Sequence, residues 1–137
     1  MATAAIANDG TLLSPRMVKA IYDHNFEREE ATAPVILNDD FISHESLQIV
    51  REGMRDAVVS GYTQSLKDLP VAVAVKTGSA QNIPGRPEHS WVTIFAPYES
   101  PEIVMTLLVE EGGFGGGTVI SSAHEILNWY FGEYRNQ

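Results

Sequence analysis

The chain has 137 residues, of which 44% are hydrophobic and 20% charged, a composition typical of one folded domain rather than of a disordered segment. Acidic residues outnumber basic residues by 18 to 9, and the resulting net charge of −9 disfavours binding to nucleic acid or to anionic membranes. The absence of cysteine excludes disulfides, thiolate metal sites and a thiol nucleophile.

The first forty residues predict a short helix followed by irregular structure. Residues 1–8 favour a helix from the first position and have no N-cap before them, which is typical of a segment of a longer protein. Gly10 can take the left-handed conformation that ends such a helix. Because Pro15 cannot donate to a central strand, residues 11–22 are expected to form an edge strand or an extended crossing. The polar residues 23–40 predict a solvated loop or a short hairpin.

A helix is predicted after Ser43, which is placed to act as its N-cap. Apolar side chains then recur at spacings of three and four residues, as on an amphipathic helix. They are Leu47, Val50, Met54, and Ala57 or Val58. Gly61 is expected to end the helix, and Gly53 within it predicts close packing.

Three strands and a last helix follow. Residues 69–76 alternate valine with alanine, which predicts a strand lined with small side chains. Residues 90–97 and 102–110 are β-branched and aromatic, and the four residues between them suit a hairpin. The last helix is expected to be capped by Thr118 or Ser121. Its predicted buried face comprises Ile120, Ala123, Leu127, Tyr130 and Tyr134. The fold class is therefore α+β, with a three-stranded antiparallel sheet flanked by helices.

Two patterns that often mark cofactor sites are incomplete in this sequence. Residues 112–117 contain five glycines in six positions, but they fit G-x-G-x-x-G in no frame and no P-loop lysine follows. This segment is expected to be a mobile connection. His44-Glu45 and His124-Glu125 each begin like a zinc-binding H-E-x-x-H helix but lack the second histidine. Neither a metal nor a cofactor is expected.

The tetrapeptide Lys76-Thr77-Gly78-Ser79 stands at the end of the predicted small-residue strand. A strand edge along a cleft would present the Lys76 ammonium in a fixed place, and the hydroxyls of Thr77 and Ser79 can bind a carboxylate. Gly78 has no side chain to block an approaching acyl donor, and a backbone N–H just after it can point at a developing oxyanion. K-T-G is one signature of β-lactamases and penicillin-binding proteins.

The residues around this motif resemble the C-terminal part of the transpeptidase domain of penicillin-binding proteins, most closely the class B, monofunctional enzymes. Four blocks in the right order carry the resemblance and cover almost the whole chain. They are residues 1–18, 47–58, 75–81 (VKTGSAQ) and 89–97 (HSWVTIFAP), the last running on into 102–113. The implied fold is that of the serine β-lactamase and penicillin-binding transpeptidase group.

The resemblance implies a serine acyl-transfer enzyme that attacks the D-Ala-D-Ala end of a peptidoglycan stem peptide and binds β-lactams covalently. Lys76 would organise the proton network and the positive potential of the cleft. Thr77 and Ser79 would hold the terminal carboxylate beside Gly78, and the Ser79 N–H would be one oxyanion donor. The parent protein would work at the extracytoplasmic face of the bacterial plasma membrane, anchored by a segment outside these residues.

Two departures from the family pattern qualify this picture. Ser79 stands where threonine is common, which keeps the hydroxyl and predicts only a small change in fit. No serine is followed three residues later by a lysine, and no S-x-N occurs. Residues 1–137 are therefore expected to be the K-T-G portion of one transpeptidase domain. The partner of this portion is the upstream half of the same domain, which carries S-x-x-K and S-x-N. Alone, the chain is expected to be inactive and to expose a sheet edge and apolar faces. Marginal stability, self-association or a rearranged packing is the expected consequence.

Other functions are compatible with the same residues. A β-lactam sensor or a non-catalytic scaffold would use the same fold without cross-linking peptides. A D,D-carboxypeptidase or a β-lactamase would transfer the acyl group to water. An anion-binding module built on the glycine-rich residues 112–117 is a further alternative. The sequence does not distinguish diaminopimelate from lysine as the acceptor amine.

Overall fold

A three-stranded antiparallel sheet organises the computed structural model, which describes residues 1–81, 83–113 and 116–136. The helices are α1 (Ala2–Ala7), α2 (His44–Val59) and α3 (Gly117–Gly132), with 3₁₀ turns at Gln64–Asp68 and Tyr134–Asn136. The strands are β1 (Leu12–Leu13), β2 (Ala20–Tyr22), β3 (Arg28–Ala31), β4 (Ile36–Asn38), β5 (Ala74–Ala80), β6 (His89–Ala96) and β7 (Ile103–Val109). Strands β5, β6 and β7 form the sheet in that order, which confirms the α+β class. Within the described residues, no helix has the length and apolar character needed to cross a bilayer.

The two faces of this sheet are covered to different extents. Side chains alternate between the faces along each strand. On one face, Val75, Val92 and Ile94 are buried in the main core, together with the inner side of α3. On the opposite face, Ala74 and Phe95 form a smaller cluster with residues of α1 and α2. The rest of that second face is partly exposed.

The predicted strand boundaries are confirmed for β6 and β7 to within one or two residues, whereas the strand predicted at residues 69–76 is shifted. β5 begins at Ala74 and runs to Ala80, so K-T-G lies inside the strand rather than at its end. The carbonyl oxygens just before Ala74 are bound by groups outside the sheet. Tyr98 N–H donates to Ala72 at 2.7 Å, and Arg55 donates to Val73 at 2.9 Å.

Residues 12–38 form an exposed arm of paired strands. β1 pairs with β4 and β2 with β3, both antiparallel, so an extended crossing followed by a hairpin is confirmed in outline. Pro15 and Pro34 lie in the two segments that interrupt the pairing. This placement follows from the missing N–H of proline, which cannot contribute to a strand ladder.

The ends of α1 and α2 agree only in part with the predictions. Gly10 is left-handed, with φ of 93°, but Asp9 before it also has a positive φ of 60°. The left-handed conformation predicted for Gly10 is therefore confirmed, although the left-handed turn already begins at Asp9. Gly10 N–H donates to the carbonyl oxygen of Ala5 at 2.7 Å and closes α1. At α2 the predicted N-cap is confirmed, since Ser43 Oγ accepts from Ser46 N–H at 3.2 Å.

The start and the buried face of α3 differ from the predictions. Gly116 is the N-cap residue and has no side chain with which to cap, so the proposed caps Thr118 and Ser121 are wrong. Ser121 Oγ instead donates to a carbonyl oxygen of the same helix. Tyr134 lies beyond the end of α3 and is exposed, whereas Phe131 is buried.

The close packing predicted for Gly53 is wrong, because nothing lies within 4 Å of the position that a β-carbon would take. Gly53→Ala should therefore raise the free energy of unfolding by up to about 1 kcal/mol, since alanine favours the helix. Gly61→Ala is the contrasting variant, because its β-carbon would lie 2.6 Å from the carbonyl oxygen of Ala57 and should destabilise the chain. Urea denaturation measures both effects. A Gly53→Ala variant less stable than the wild type would contradict this prediction.

Candidate active site

The tetrapeptide Lys76-Thr77-Gly78-Ser79 lies on an edge strand of the sheet. β5 is bonded to β6 on one side and has no other strand beside it in the described residues. In the β5–β6 ladder, Lys76 pairs with Thr93 and Ser79 with Ser90. The ladder therefore holds all four residues in extended backbone, while the second edge of the strand carries no sheet partner.

An open groove of about 450 Å³ lies between α2 and β5, beside the first half of this tetrapeptide. Its lining residues are Val50, Gly53, Met54, Ala57, Val75, Lys76 and Thr77. Lys76 is the one charged residue among them. Gly53 of α2 lines this groove, which explains why a β-carbon at that position would have no described neighbour within 4 Å. The groove thus combines a mostly apolar wall with a single positive charge.

The Lys76 ammonium is available to an incoming anion. Its Nζ donates to the carbonyl oxygen of Thr77 at 2.5 Å, and the side chain is exposed. None of the ion pairs found among the described residues includes Lys76. A single exposed hydrogen bond contributes only about 1 kcal/mol, so a carboxylate in the groove can compete for this ammonium.

Thr77 and Gly78 have different surroundings. Thr77 is half-buried and lies near the start of α3, where a β-carbon on Gly116 would be 4.0 Å from Thr77 Cγ2. A β-carbon on Gly78 would have one near neighbour, Trp91 Cβ at the ordinary contact distance of 3.6 Å. Packing within the sheet therefore does not require glycine at position 78, whereas close approach of a ligand to the strand would.

Ser79 is exposed, and its ladder partner on β6 contacts the beginning of the glycine-rich segment. Its ladder partner Ser90 is buried and donates through Oγ to the carbonyl oxygen of Gly113 at 2.5 Å. A β-carbon on Gly112 would lie 3.0 Å from Ser90 Oγ, so only glycine fits there without a shift of its neighbours. Ser90 thus holds the start of this segment against β6, the strand paired with β5. The predicted mobile connection at residues 112–117 includes positions 114 and 115, which lie outside the described residues.

Sequence reasoning missed Arg51, a charged residue that is only 6% exposed. Its guanidinium donates to the carbonyl oxygens of the last two residues of α1, each at 3.0 Å, and to that of Tyr98 at 2.9 Å. The signal was present in the sequence, because position 51 falls between Leu47 and Met54 on the buried stripe of the helix. A charged side chain in such a stripe indicates buried hydrogen-bond partners.

The geometry brings together all four predicted site residues but no nucleophile. Because side chains alternate along a strand, Lys76 and Gly78 lie on one face of β5, and Thr77 and Ser79 lie on the other. The 137-residue sequence contains neither the S-x-x-K serine that would attack an acyl donor nor an S-x-N motif. The tetrapeptide therefore offers an ammonium and two hydroxyl groups, without the S-x-x-K serine that would form a covalent bond.

Comparison with known proteins points to one family. The model of the penicillin binding protein transpeptidase domain matches residues 1–128. Peptidoglycan D,D-transpeptidase MrdA of Haemophilus influenzae is 26% identical over 150 aligned residues, which cover 96% of this chain and 23% of that protein. The D,D-transpeptidase domain of a peptidoglycan glycosyltransferase from Eggerthella lenta has a TM-score of 0.75 at 28% identity, covering 95% of this chain and 30% of that one.

A further solved structure with a similar fold carries a bound drug. Penicillin-binding protein A of Mycobacterium tuberculosis, determined as an imipenem acyl-enzyme complex, has a TM-score of 0.71 at 25% identity. The alignment covers 90% of this chain and 28% of that one. The chain thus spans less than a third of the length of each of these relatives.

Proposed function

Because the chain belongs to the family of penicillin-binding protein transpeptidase domains, as its sequence blocks indicated, we propose that it is the K-T-G portion of a class B peptidoglycan D,D-transpeptidase. One observation carries this proposal. Lys76, Thr77, Gly78 and Ser79 are held in regular register on an edge strand beside an open groove. An edge strand of this kind can present backbone groups and side chains to an extended peptide.

The proposed reaction is acyl transfer through a serine that lies outside these residues. The serine hydroxyl attacks the carbonyl carbon of the penultimate D-alanine of a stem peptide, and its proton goes to a base. The C–N bond breaks, the terminal D-alanine leaves after taking up a proton, and an ester remains on the serine. The amine of a neighbouring stem peptide then attacks this ester, which forms the cross-link and releases the serine. A β-lactam would enter the same first step through its ring amide.

Each residue of the tetrapeptide has a proposed role in this reaction. Lys76 supplies positive charge for the proton network and for the substrate carboxylate, in a groove whose other described lining residues are uncharged. The hydroxyls of Thr77 and Ser79 bind that carboxylate, and the Ser79 N–H donates to the oxyanion. Gly78 leaves the approach to the strand open, in keeping with the absence of any packing demand for glycine there.

An exposed part of the sheet supports the proposal that another half of the domain completes the site. Trp91, Val104 and Leu108 lie on the second face of the sheet and are 40%, 38% and 42% exposed. Trp91 and Leu108 are direct cross-strand partners, so their apolar surfaces adjoin. Adjoining exposed apolar side chains favour burial against another surface. We expect the upstream half with S-x-x-K and S-x-N to cover this face, and the isolated chain to self-associate through it.

The 137-residue chain alone should form no covalent adduct with a fluorescent penicillin, because no serine in it precedes a lysine by three positions. The longer protein that carries the S-x-x-K serine should be labelled under the same conditions, and excess unlabelled penicillin should compete. Fluorescence of the denatured proteins on a gel measures both results. An adduct on the 137-residue chain would contradict the proposed division of the site. A longer protein that stays unlabelled would contradict the proposed function.

The proposal also implies a place of action and a set of partners. The parent protein would work at the extracytoplasmic face of the bacterial plasma membrane, held by an anchor outside these residues. Its partners would be peptidoglycan stem peptides, and β-lactams as inhibitors. Analysis of the products from labelled stem peptides distinguishes transfer from hydrolysis, since transfer gives a cross-linked dimer and hydrolysis gives a shortened monomer.

A further inference from the structure

Two backbone carbonyls immediately before β5 are fixed by groups from other elements. Arg55 of α2 donates through Nη1 to the carbonyl oxygen of Val73 at 2.9 Å. Tyr98, in the turn between β6 and β7, donates its N–H to the carbonyl oxygen of Ala72 at 2.7 Å. Both contacts lie within four residues of Lys76, a distance of at most about 13 Å along an extended chain.

Arg51 holds Tyr98 in the place from which it contacts Ala72. Arg51 Nη2 donates to the carbonyl oxygen of Tyr98 at 2.9 Å, and the guanidinium lies 5.6 Å from the centroid of the Tyr98 ring. The Arg55 guanidinium lies 6.0 Å from the same centroid. Both distances allow cation–π attraction. The two arginines, one turn apart on α2, and Tyr98 therefore form a connected clamp on the start of β5.

Of these contacts, the one from Arg55 comes from α2, whereas the one from Tyr98 comes from the turn that follows β6. Hydrogen bonds to β6 fix the spacing between the two strands, but they leave the start of β5 free to shift relative to α2. The groove beside Lys76 and Thr77 has α2 as one wall and β5 as the other. A contact from α2 to the backbone at Val73 therefore fixes the position of β5 relative to α2, and with it the width of the groove.

We propose that Arg55 is a positioning residue for the acyl transfer, with Arg51 and Tyr98 as its support. It fixes the start of β5 and thereby the place of Lys76, Thr77 and Gly78 relative to the attacking serine. Arg55 is absent from the groove lining, so it acts through the backbone of the strand rather than on the substrate. This inference rests on the proposed function.

Arg55→Met in the longer transpeptidase tests this role, because methionine keeps an apolar side chain over Tyr98 but removes the donors to Val73. The acylation rate constant for a fluorescent penicillin should fall by about tenfold or more, since small displacements of reacting groups are costly. The dissociation constant of the complex that precedes acylation should change less. Arg55→Lys retains a donor on a long side chain and should recover most of the rate.

Two control variants separate positioning from general destabilisation. Arg135→Met makes the same change at an exposed arginine that pairs with Glu102 at 2.6 Å, and should leave acylation unchanged. Leu127→Ala removes a fully buried side chain of the main core and should lower the melting temperature. At temperatures well below that melting temperature, it should leave the acylation rate unchanged. The inference is overturned if Arg55→Met is acylated at the wild-type rate, if Leu127→Ala slows acylation as much, or if Arg55→Lys restores nothing.

Amide exchange in the 137-residue chain tests the same contact without penicillin. Loss of the charged hydrogen bond in Arg55→Met should speed exchange of those β5 amides at positions 76–79 that bond to β6 by about tenfold, relative to the amides between β6 and β7. Unchanged exchange would overturn the inference. If the wild-type longer protein is not acylated but the exchange result holds, the proposed function fails while the structural role of Arg55 stands.

Discussion

Lys76→Ala in the longer transpeptidase should slow acylation by a fluorescent penicillin by about a hundredfold or more. Among the described residues, Lys76 is the one charged residue that lines the groove between α2 and β5, and the hydrogen bond found for its ammonium is the exposed one to Thr77. Removing a preorganised charge from beside developing negative charge typically costs two to three orders of magnitude in rate. The second-order rate constant for acylation, followed by fluorescence, measures the loss.

Lys67→Ala is the matched control for this variant. Lys67 lies in the 3₁₀ turn after α2, where its Nζ bonds to Gln64 Oε1 at 3.2 Å, and it does not line the groove. Its removal should leave acylation unchanged. Lys76→Arg keeps the charge but replaces a compact ammonium by a planar guanidinium, so partial activity is expected. Acylation of Lys76→Ala at a rate near that of the wild type would remove Lys76 from the site.

The candidate site could be predicted from sequence because its residues are contiguous. K-T-G-S is read directly from the chain. The β-branched runs predicted as strands, with four residues between them, predict a hairpin, and the structure contains it as β6 and β7. The limits of β5 could not be predicted in the same way. The strand starts at Ala74 because Tyr98 and Arg55 bind the two carbonyls before it. Those partners are more than fifteen residues away in sequence, beyond the reach of any local pattern.

The misjudged glycine in α2 has a related cause. Glycine within a helix indicates either close packing or an open surface, and the sequence alone does not choose between them. In the structure, Gly53 lines the open groove, and a β-carbon there would have no described neighbour within 4 Å. The predicted stripe placed Val50 inside, yet it is partly exposed on the same groove, and Arg51 occupies the buried position. Compared with the prediction, the buried face of α2 is therefore shifted by one residue at this turn. It carries Arg51, which faces the carbonyl oxygens of α1 and Tyr98.

Arg51→Met should lower the free energy of unfolding of the 137-residue chain by about 3 kcal/mol or more. Methionine has a similar length and fills the same space, but it leaves the carbonyl oxygens of Ile6, Ala7 and Tyr98 without their donor. An unsatisfied buried polar group costs about 1–3 kcal/mol. The carbonyls of Ile6 and Ala7 also carry the negative end of the α1 dipole, which the guanidinium offsets. Urea denaturation followed by circular dichroism measures the change.

Arg135→Met again provides the matched comparison, because its ion pair with Glu102 is exposed and should contribute less than about 1 kcal/mol. The Asp9 carboxylate, 3.9 Å from Arg51 and itself exposed, should likewise contribute little, so Asp9→Asn should be near neutral. Since a domain of this size is typically stable by only about 5–15 kcal/mol, the loss at Arg51 should remove a large part of the total. An Arg51→Met variant no less stable than Arg135→Met would contradict this prediction. The three carbonyl oxygens would then have other partners, and the clamp on the start of β5 would not depend on Arg51.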